Sequence, residues 1–331
     1  MNEPDADHDI RVAEPPLAAG LTEALLLFWT NLFHTDYTDS RGRLAGHERR
    51  QNRDTIYYVE KQGSPAGTCH LVTSLCSPEL GGLGEVGTEP RARGAGIASA
   101  LCRRARNDFH RAGGQALFLG TVNPAAARVY HAQGWRKIVG AELMVWVADG
   151  RTPEEFLVDY FRLAGGTPAV SRGTAAQRIP MIPLIITPHD WQLLDANTNL
   201  LSTRYAAQIS CMGFYPRYAR LESDGRGSWF AASTDQESLV GLSSCRLDED
   251  GSCQVDGFAH HRFPGSWRDL MVATISWAAA HDACLCWARV SVEDKEKTSL
   301  FEALGFEKVG DAEPVELGQR TVGALRLQRE P

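Results

Sequence analysis

The stretch that most constrains this chain runs from Glu85 through Arg91-Ala92-Arg93-Gly94-Ala95-Gly96 to about Arg111. Its pattern predicts a short strand, a glycine-rich turn and an apolar-periodic helix that starts at Ile97. Glycine lets the backbone come close to a ligand, and the unpaired amides of a helix's first turn point outward under a favourable dipole. A turn of this kind cradles a pyrophosphate. A dinucleotide fingerprint fits poorly, because it needs the first strand of the fold and an acidic residue about 20 positions on. Here some ninety residues with strand-like runs come first, and the chain about 20 positions later reads Gly113-Gly114-Gln115.

The continuation narrows the reading. A strand from Ala116 to Val122 leads into Asn123-Pro124-Ala125-Ala126-Ala127-Arg128-Val129-Tyr130-His131-Ala132-Gln133-Gly134-Trp135. Arg-x-x-Gly-x-Gly at a helix start, followed by Asn-x-x-Ala-x-x-x-Tyr-x-x-x-Gly-aromatic, resembles the GNAT superfamily of acetyl-CoA-dependent acyltransferases. The resemblance implies that Val86, Gly87 and Thr88, on a splayed strand, bond the pantetheine arm and aim an amide at the thioester carbonyl. It implies that the amides of Arg91, Ala92, Arg93, Gly94, Ala95, Gly96, Ile97 and Ala98 hold the pyrophosphate of acetyl-CoA. Asn123 and Ala126 then meet the cofactor, Tyr130 sits near its sulfur, and the loop His34 to Asp39 lines the acceptor cleft.

Direct transfer to an amine needs a base for the ammonium proton, a donor for the developing oxyanion and an acid for the leaving thiolate. The candidates are Glu85 as base, directly or through water, an amide near Val86 or Gly87 as oxyanion donor, and Tyr130 as acid. Each has a plainer reading, Glu85 as an exposed strand-end carboxylate and Tyr130 as a stacking residue. His131 points off the Tyr130 face and reads as a surface residue. His260-His261 are the candidate base of the second half, if that half works.

A chain of 331 residues exceeds one ordinary core, so two domains are expected. We expect residues 1–150 to form the first, 151–178 a connection with a short helix from Pro153, and 179–331 the second. In the first, strands are expected at Asp9 to Ala13, Thr55 to Val59, Gly67 to Leu75 and Ile138 to Val147. Helices are expected at Ala19 to Phe33 and, as a polar one, Leu44 to Asn52. Gly165 to Gly173 reads as a flexible tract and Pro180 to Ile186 as a strand.

The second half repeats the first in degraded form. Arg91 and Gly134 are 43 positions apart, as are Arg262 and Gly305. Between these landmarks Gly265 matches Gly94 and Phe301 matches Tyr130, while Phe306 matches Trp135 and Asp256-Gly257 matches Glu85-Val86. The whole resembles the tandem GNAT proteins of actinobacterial secondary metabolism. The expected fold class is therefore α/β (an α+β mixed sheet) in two tandem GNAT domains. Pro264 removes an amide, Trp267 replaces a glycine, Phe301 has no proton to give and Asp294 puts a negative charge beside a phosphorylated ligand. Each change opposes CoA binding in the second half.

A net charge of −7 argues against a nucleic-acid partner. No run approaches the roughly 18 apolar residues of a membrane span. The polar, acidic start MNEPDADHDIR does not read as a signal peptide. Eight cysteines without a C-x-x-C pair suggest no metal and a reducing compartment, the cytoplasm; Cys284 and Cys286 read as small core residues of one strand. The expectation is an N-acetyltransferase of a small amine-bearing metabolite, in antibiotic biosynthesis or resistance, as a monomer or homodimer. The alternative makes acetyl-CoA a structural or sensing ligand of the first domain, with the second domain binding another acyl-CoA or carrying the transfer.

Overall fold

The computed structural model describes residues 8–331. It divides into two compact units, one running through Lys137 and adding Leu143–Pro153, the other comprising Ile138–Glu142 and Glu154–Pro331. The first seven residues, which carry most of the acidic start, lie outside the described residues.

The first unit contains β1 (Arg11–Ala13), α1 (Ala19–Phe33), α2 (Arg41–Leu44), β2 (Asn52–Lys61), β3 (Ser64–Ser74), β4 (Leu80–Thr88), α3 (Ile97–Arg111), β5 (Ala116–Gly120), α4 (Pro124–Ala132), β6 (Arg136–Lys137) and β7 (Leu143–Val147). Its seven strands form one sheet in the order β1-β2-β3-β4-β5-β7-β6. β2 and β3 join through Gln62-Gly63, both at positive φ, which the primed hairpin turns require. β4 and β5 are parallel, bonded only from Leu80–Gly82 to Ala116–Phe118; beyond Gly82 they part. A bulge interrupts the β3–β4 ladder between Thr68 and His70, and there Glu85 takes a positive φ of 45°.

Each face of this sheet has its own apolar layer. Leu25, Leu26 and Trp29 of α1 and Leu44 of α2 pack on Ile56 and Tyr58. On the other face Ile97, Leu101, Ala105 and Phe109, one stripe of α3, pack with Tyr130 and Trp135 on Cys69, Leu71 and Leu83.

The second unit contains α5 (Pro153–Leu163), β8 (Ala169–Arg172), α6 (Met181–Ile186), β9 (Leu193–Asp195), β10 (Leu200–Leu201), α7 (Phe214–Ser223), β11 (Gly227–Ser233), β12 (Leu239–Leu247), β13 (Ser252–Ala259), α8 (Pro264–Ala280), β14 (Leu285–Ser291), α9 (Lys295–Ala303), β15 (Glu307–Leu317) and β16 (Arg320–Arg329). Its sheet runs β8-β11-β12-β13-β14-β16-β15, the same plan strand for strand, and β9 and β10 form a small extra hairpin. β13 and β14 are parallel from Ser252–Gln254 to Leu285–Trp287 and then part. The β12–β13 register runs unbroken from Gly241↔Ala259 to Leu247↔Cys253, so the bulge of the first sheet has no counterpart.

Several expected elements change. The polar helix over Leu44 to Asn52 is instead α2 and a run of turns, because Gly46 takes φ +83° and breaks the helix. Pro180 to Ile186 is largely helix: Met181–Ile186 are all buried, and a run apolar on every side carries no period to tell helix from strand. Within the tract Gly165 to Gly173 lies β8, an edge strand paired with β11. The strand expected to Val122 stops at Gly120, and the one expected over Ile138 to Val147 is confined to Leu143–Val147. Cys284 is exposed ahead of β14, and only Cys286 enters the core; all eight cysteines are free thiols. Among the described residues no helix is long and apolar enough to cross a membrane.

Candidate active site

The glycine turn is conformational in origin. Gly94 and Gly96 take φ of +82° and +77°, and a Cβ at either would meet nothing within 4 Å. Backbone angle, not packing, requires them. Gly96 precedes the first turn of α3, and no side chain caps that end. Among the described residues the amides of Gly94 to Ser99 have no hydrogen-bond partner. The expected grip is narrower at its start, since the Ala92 and Arg93 amides donate to Glu89 O (2.9 Å) and Pro90 O (3.4 Å). Arg91 and Arg93 are exposed beside the turn. At Gly87 the contact is steric: a Cβ would lie 2.2 Å from Leu32 Cδ2, so a larger residue would make the Leu32 side chain of α1 shift. Among the described residues Thr88 Oγ1, at the end of β4, is buried without a partner.

Glu85 belongs to a buried ionic set. Asp54 on β2 pairs with Val72, and His70 on β3 pairs with Ile56, so the two lie diagonally on one face. His70 Nε2 is 2.8 Å from Asp54 Oδ1, and its Nδ1 is 3.2 Å from Glu85 Oε2, at the bulge. Arg43 of α2 brings Nη2 within 3.6 Å of Glu85 Oε1 and Nε within 3.9 Å of Asp54 Oδ1. The His70 side chain is fully buried and that of Glu85 11% exposed. Trp29 stacks on His70 at 6.2 Å and donates to Thr68 Oγ1 (3.0 Å), which donates to Glu85 O (2.6 Å). Burial and Arg43 push the His70 pKa down, but hydrogen bonds to two carboxylates and the charge of Asp54 outweigh them, and it ends above the ordinary value. Tyr37, in the loop expected to line the acceptor cleft, keeps its proton because of burial and, next, the charge of Glu85. The reading of Glu85 as an exposed strand-end group fails on this geometry.

Tyr130 lies in the α3/α4 layer, 6% exposed, its ring 6.1 Å from Trp135. Burial, then the neighbouring thiols of Cys102 and Cys69, hold its pKa well above the ordinary value, so its hydroxyl stays protonated. Asn123 is the N-cap of α4; its Oδ1 accepts from Ala125 N (2.9 Å) and Ala126 N (3.4 Å), so the oxygen already serves the helix. Ala126 is half-buried against the same layer, and His131 is exposed.

The second unit closes the corresponding places. α8 begins at Pro264, so Gly265, Ser266 and Trp267, expected in a turn, form the first turn of a helix. Trp267 Nε1 donates to Gly257 O (3.0 Å) on β13. Lys297 stands where Ala126 stands in the first unit; wholly buried, its Nζ is 2.6 Å from Asp256 Oδ1 and donates to Leu193 O (2.6 Å) and Leu194 O (3.2 Å). Asp294, in the place of Asn123, accepts from Gln192 N (2.9 Å) and Leu193 N (3.3 Å). Burial and Asp195 raise the Asp256 pKa against the pull of Lys297. Lys297 and Asp294 at the start of α9 thus tie Asp256 on β13 to the backbone of Gln192, Leu193 and Leu194. His260, offered as a base, is 2% exposed and stacked on Phe161 at 4.0 Å, with burial pushing its pKa down to about 3. It is a packed, neutral ring.

The parted parallel strands, the bulge on β4 and the uncapped glycine turn lie together in the first α/β domain, and the second sheet repeats its strand order. The model of the Acetyltransferase (GNAT) family matches residues 20–135. No curated protein matches the chain by sequence. Solved structures similar to it include a ribosomal-protein-alanine N-acetyltransferase from Brucella melitensis, at 16% identity and TM-score 0.40 over 49% of this chain and 99% of that one. A spermidine N-acetyltransferase from Vibrio cholerae, in complex with CoA and spermine, is similar at 15% identity and TM-score 0.40, over 49% of this chain and 95% of that one. An N-acetyltransferase from Staphylococcus aureus is similar at 8% identity and TM-score 0.41, over 50% of this chain and 99% of that one.

Arg43, Asp54 and His70 escaped the sequence reading. Their signal was present: a histidine inside the apolar run Gly67 to Leu75, and an aspartate leading into a strand beside it.

Proposed function

We propose that this chain is an acetyl-CoA-dependent N-acetyltransferase of a small amine-bearing metabolite, with the first domain holding the cofactor and performing the transfer. The observation that carries the reading is the set of unpartnered amides from Gly94 to Ser99, at the end of a strand that also bears Glu85. These donors and the unpartnered Thr88 Oγ1 fit the pyrophosphate and pantetheine of acetyl-CoA, with Val86, Gly87, Asn123 and Ala126 alongside. When bound, that group supplies an acyl thioester.

The chain's own residues handle the protons. An ammonium that becomes an amide gives up two protons as a C–N bond forms and a C–S bond breaks. Glu85, held as a carboxylate partner by Arg43 and His70, takes one of them. Tyr130 supplies a proton to the departing sulfur and recovers one from the amine nitrogen, so one proton per turnover must leave the site. An amide near Val86 or Gly87 steadies the oxyanion.

The second domain supports the structure rather than a second acyl-CoA, because Lys297, Trp267 and the Gln192–Leu193 backbone occupy its groove. In layout the chain resembles mycothiol synthase and the tandem acetyltransferase of the clavulanic acid cluster, which favours a cytoplasmic role in secondary metabolism, as a monomer or homodimer. The Vibrio structure with spermine makes polyamines the first acceptors to try. Thiol release from acetyl-CoA, measured against polyamines, amino acids and aminoglycosides, tests the proposal. Turnover with one class supports it; tight acetyl-CoA binding without turnover on any amine favours a structural or sensing ligand.

A further inference from the structure

We propose that Asp54 and His70 form a proton relay that empties Glu85 across the sheet into a cavity remote from the glycine turn. The inference rests on Glu85 as the base. Three observations carry it. First, His70 bridges two carboxylates, Nδ1 to Glu85 at 3.2 Å and Nε2 to Asp54 at 2.8 Å, on a ring with no exposure of its own. A merely structural buried histidine needs one partner to fix its tautomer; this one has an acidic group at each end. Second, Asp54 lines a cavity of about 210 Å³ with Glu14, Arg49, Asn52 and Arg53. Asp54 pairs with Val72, which pairs with Gly82, so the cavity lies toward the start of β4 and away from Thr88. Third, Trp29 and Thr68 cover the Glu85–His70 contact on the α1 side.

The reaction leaves one proton per turnover in the site, and the relay carries it without net chemistry. The proton taken by Glu85 passes from Oε2 to His70 Nδ1 while the proton on Nε2 passes to Asp54 Oδ1. Asp54 releases it to water in the cavity, and the proton left on Nδ1 then shifts to Nε2, by way of cavity water, before the ring accepts again. The charged groups facing His70 are Asp54 from β2, Glu85 from β4 and Arg43 from α2, with Glu48 acting on Arg43. Turnover rises with pH as Nδ1 becomes free to accept, and the raised His70 pKa moves that rise to higher pH.

The test is the kcat and KM of the full chain, with acetyl-CoA and the best amine of the panel, or water where no amine is accepted. Asp54→Asn should lower kcat about 10- to 100-fold, within the range of one acid–base group, with KM for acetyl-CoA unchanged. The acid limb of its pH profile should move to lower pH, because His70 loses one of its two acidic partners. Asp54→Ala should regain activity severalfold with formate, which enters through the cavity. If Asp54→Asn does not fold, nitrogen NMR of His70 decides in the Glu85→Gln chain, where its pKa must fall; an unmoved pKa overturns the relay. Full activity in Glu85→Gln removes the base and the relay with it. Loss of activity there, with unchanged turnover and pH profile in Asp54→Asn, removes the relay alone.

Discussion

At the scale of single residues, buried charge decides what each side chain can do. Arg43, Asp54, His70 and Glu85 balance when His70 is protonated, two cations against two carboxylates. Removing a member strands the rest, and a broken buried pair costs roughly 3–5 kcal/mol. The same holds in the second domain. Lys297→Met should lower the unfolding free energy by about 3–5 kcal/mol, because Asp256 and two backbone carbonyls lose their donor. Adding Asp256→Asn should restore a good part of that loss in denaturant titrations. An additive or neutral result would show that the pair is not coupled. Tyr130→Phe keeps the packing against Trp135 and removes only the hydroxyl, so kcat should fall with acetyl-CoA affinity retained. Unchanged turnover would move the acid elsewhere.

At the scale of elements, the glycine turn was legible because Gly94 and Gly96 sit one residue apart before a strong apolar period, and α3 runs from Ile97 to Arg111 as the pattern requires. The parting of β4 and β5 follows from a ladder of three residue pairs, which no local pattern encodes. The bulge at Glu85 was equally hidden, since it depends on register with β3. The second turn misled in an instructive way. Pro264 removes one amide, but proline at a first helical position also starts a helix, and α8 absorbs Pro264 to Trp267. Lys297 went unread because a lysine on a polar helix face is ordinarily solvated, and only the fold shows it buried against Asp256.

At the scale of the whole molecule, the two domains should answer to pH in opposite senses. His189 and His260 are pushed down to about 4 and about 3, burial being the first cause for each. Both rings are neutral when folded and take up protons when unfolded, so their contribution is full above about pH 6.5 and is lost as pH falls toward 4. His70 has the reverse sign: its contribution is present below about pH 6.5 and is lost as pH rises through its raised folded value. Calorimetry from pH 8 to pH 4 should show the second domain's transition moving down, with a flatter acid limb in His189→Gln. A transition insensitive to acid would contradict the assignment of neutral rings.

The proposed function has the amides after Gly94 hold one acetyl-CoA per chain and the second domain hold none. Isothermal titration of acetyl-CoA into the intact chain and into Gly94→Ala/Gly96→Ala tests it directly, since alanine resists the left-handed backbone by about 1–2 kcal/mol per position while meeting no atoms. One site per chain is expected, weakened about tenfold or more in the double variant. Two equal sites, or one indifferent to both alanines, would contradict it.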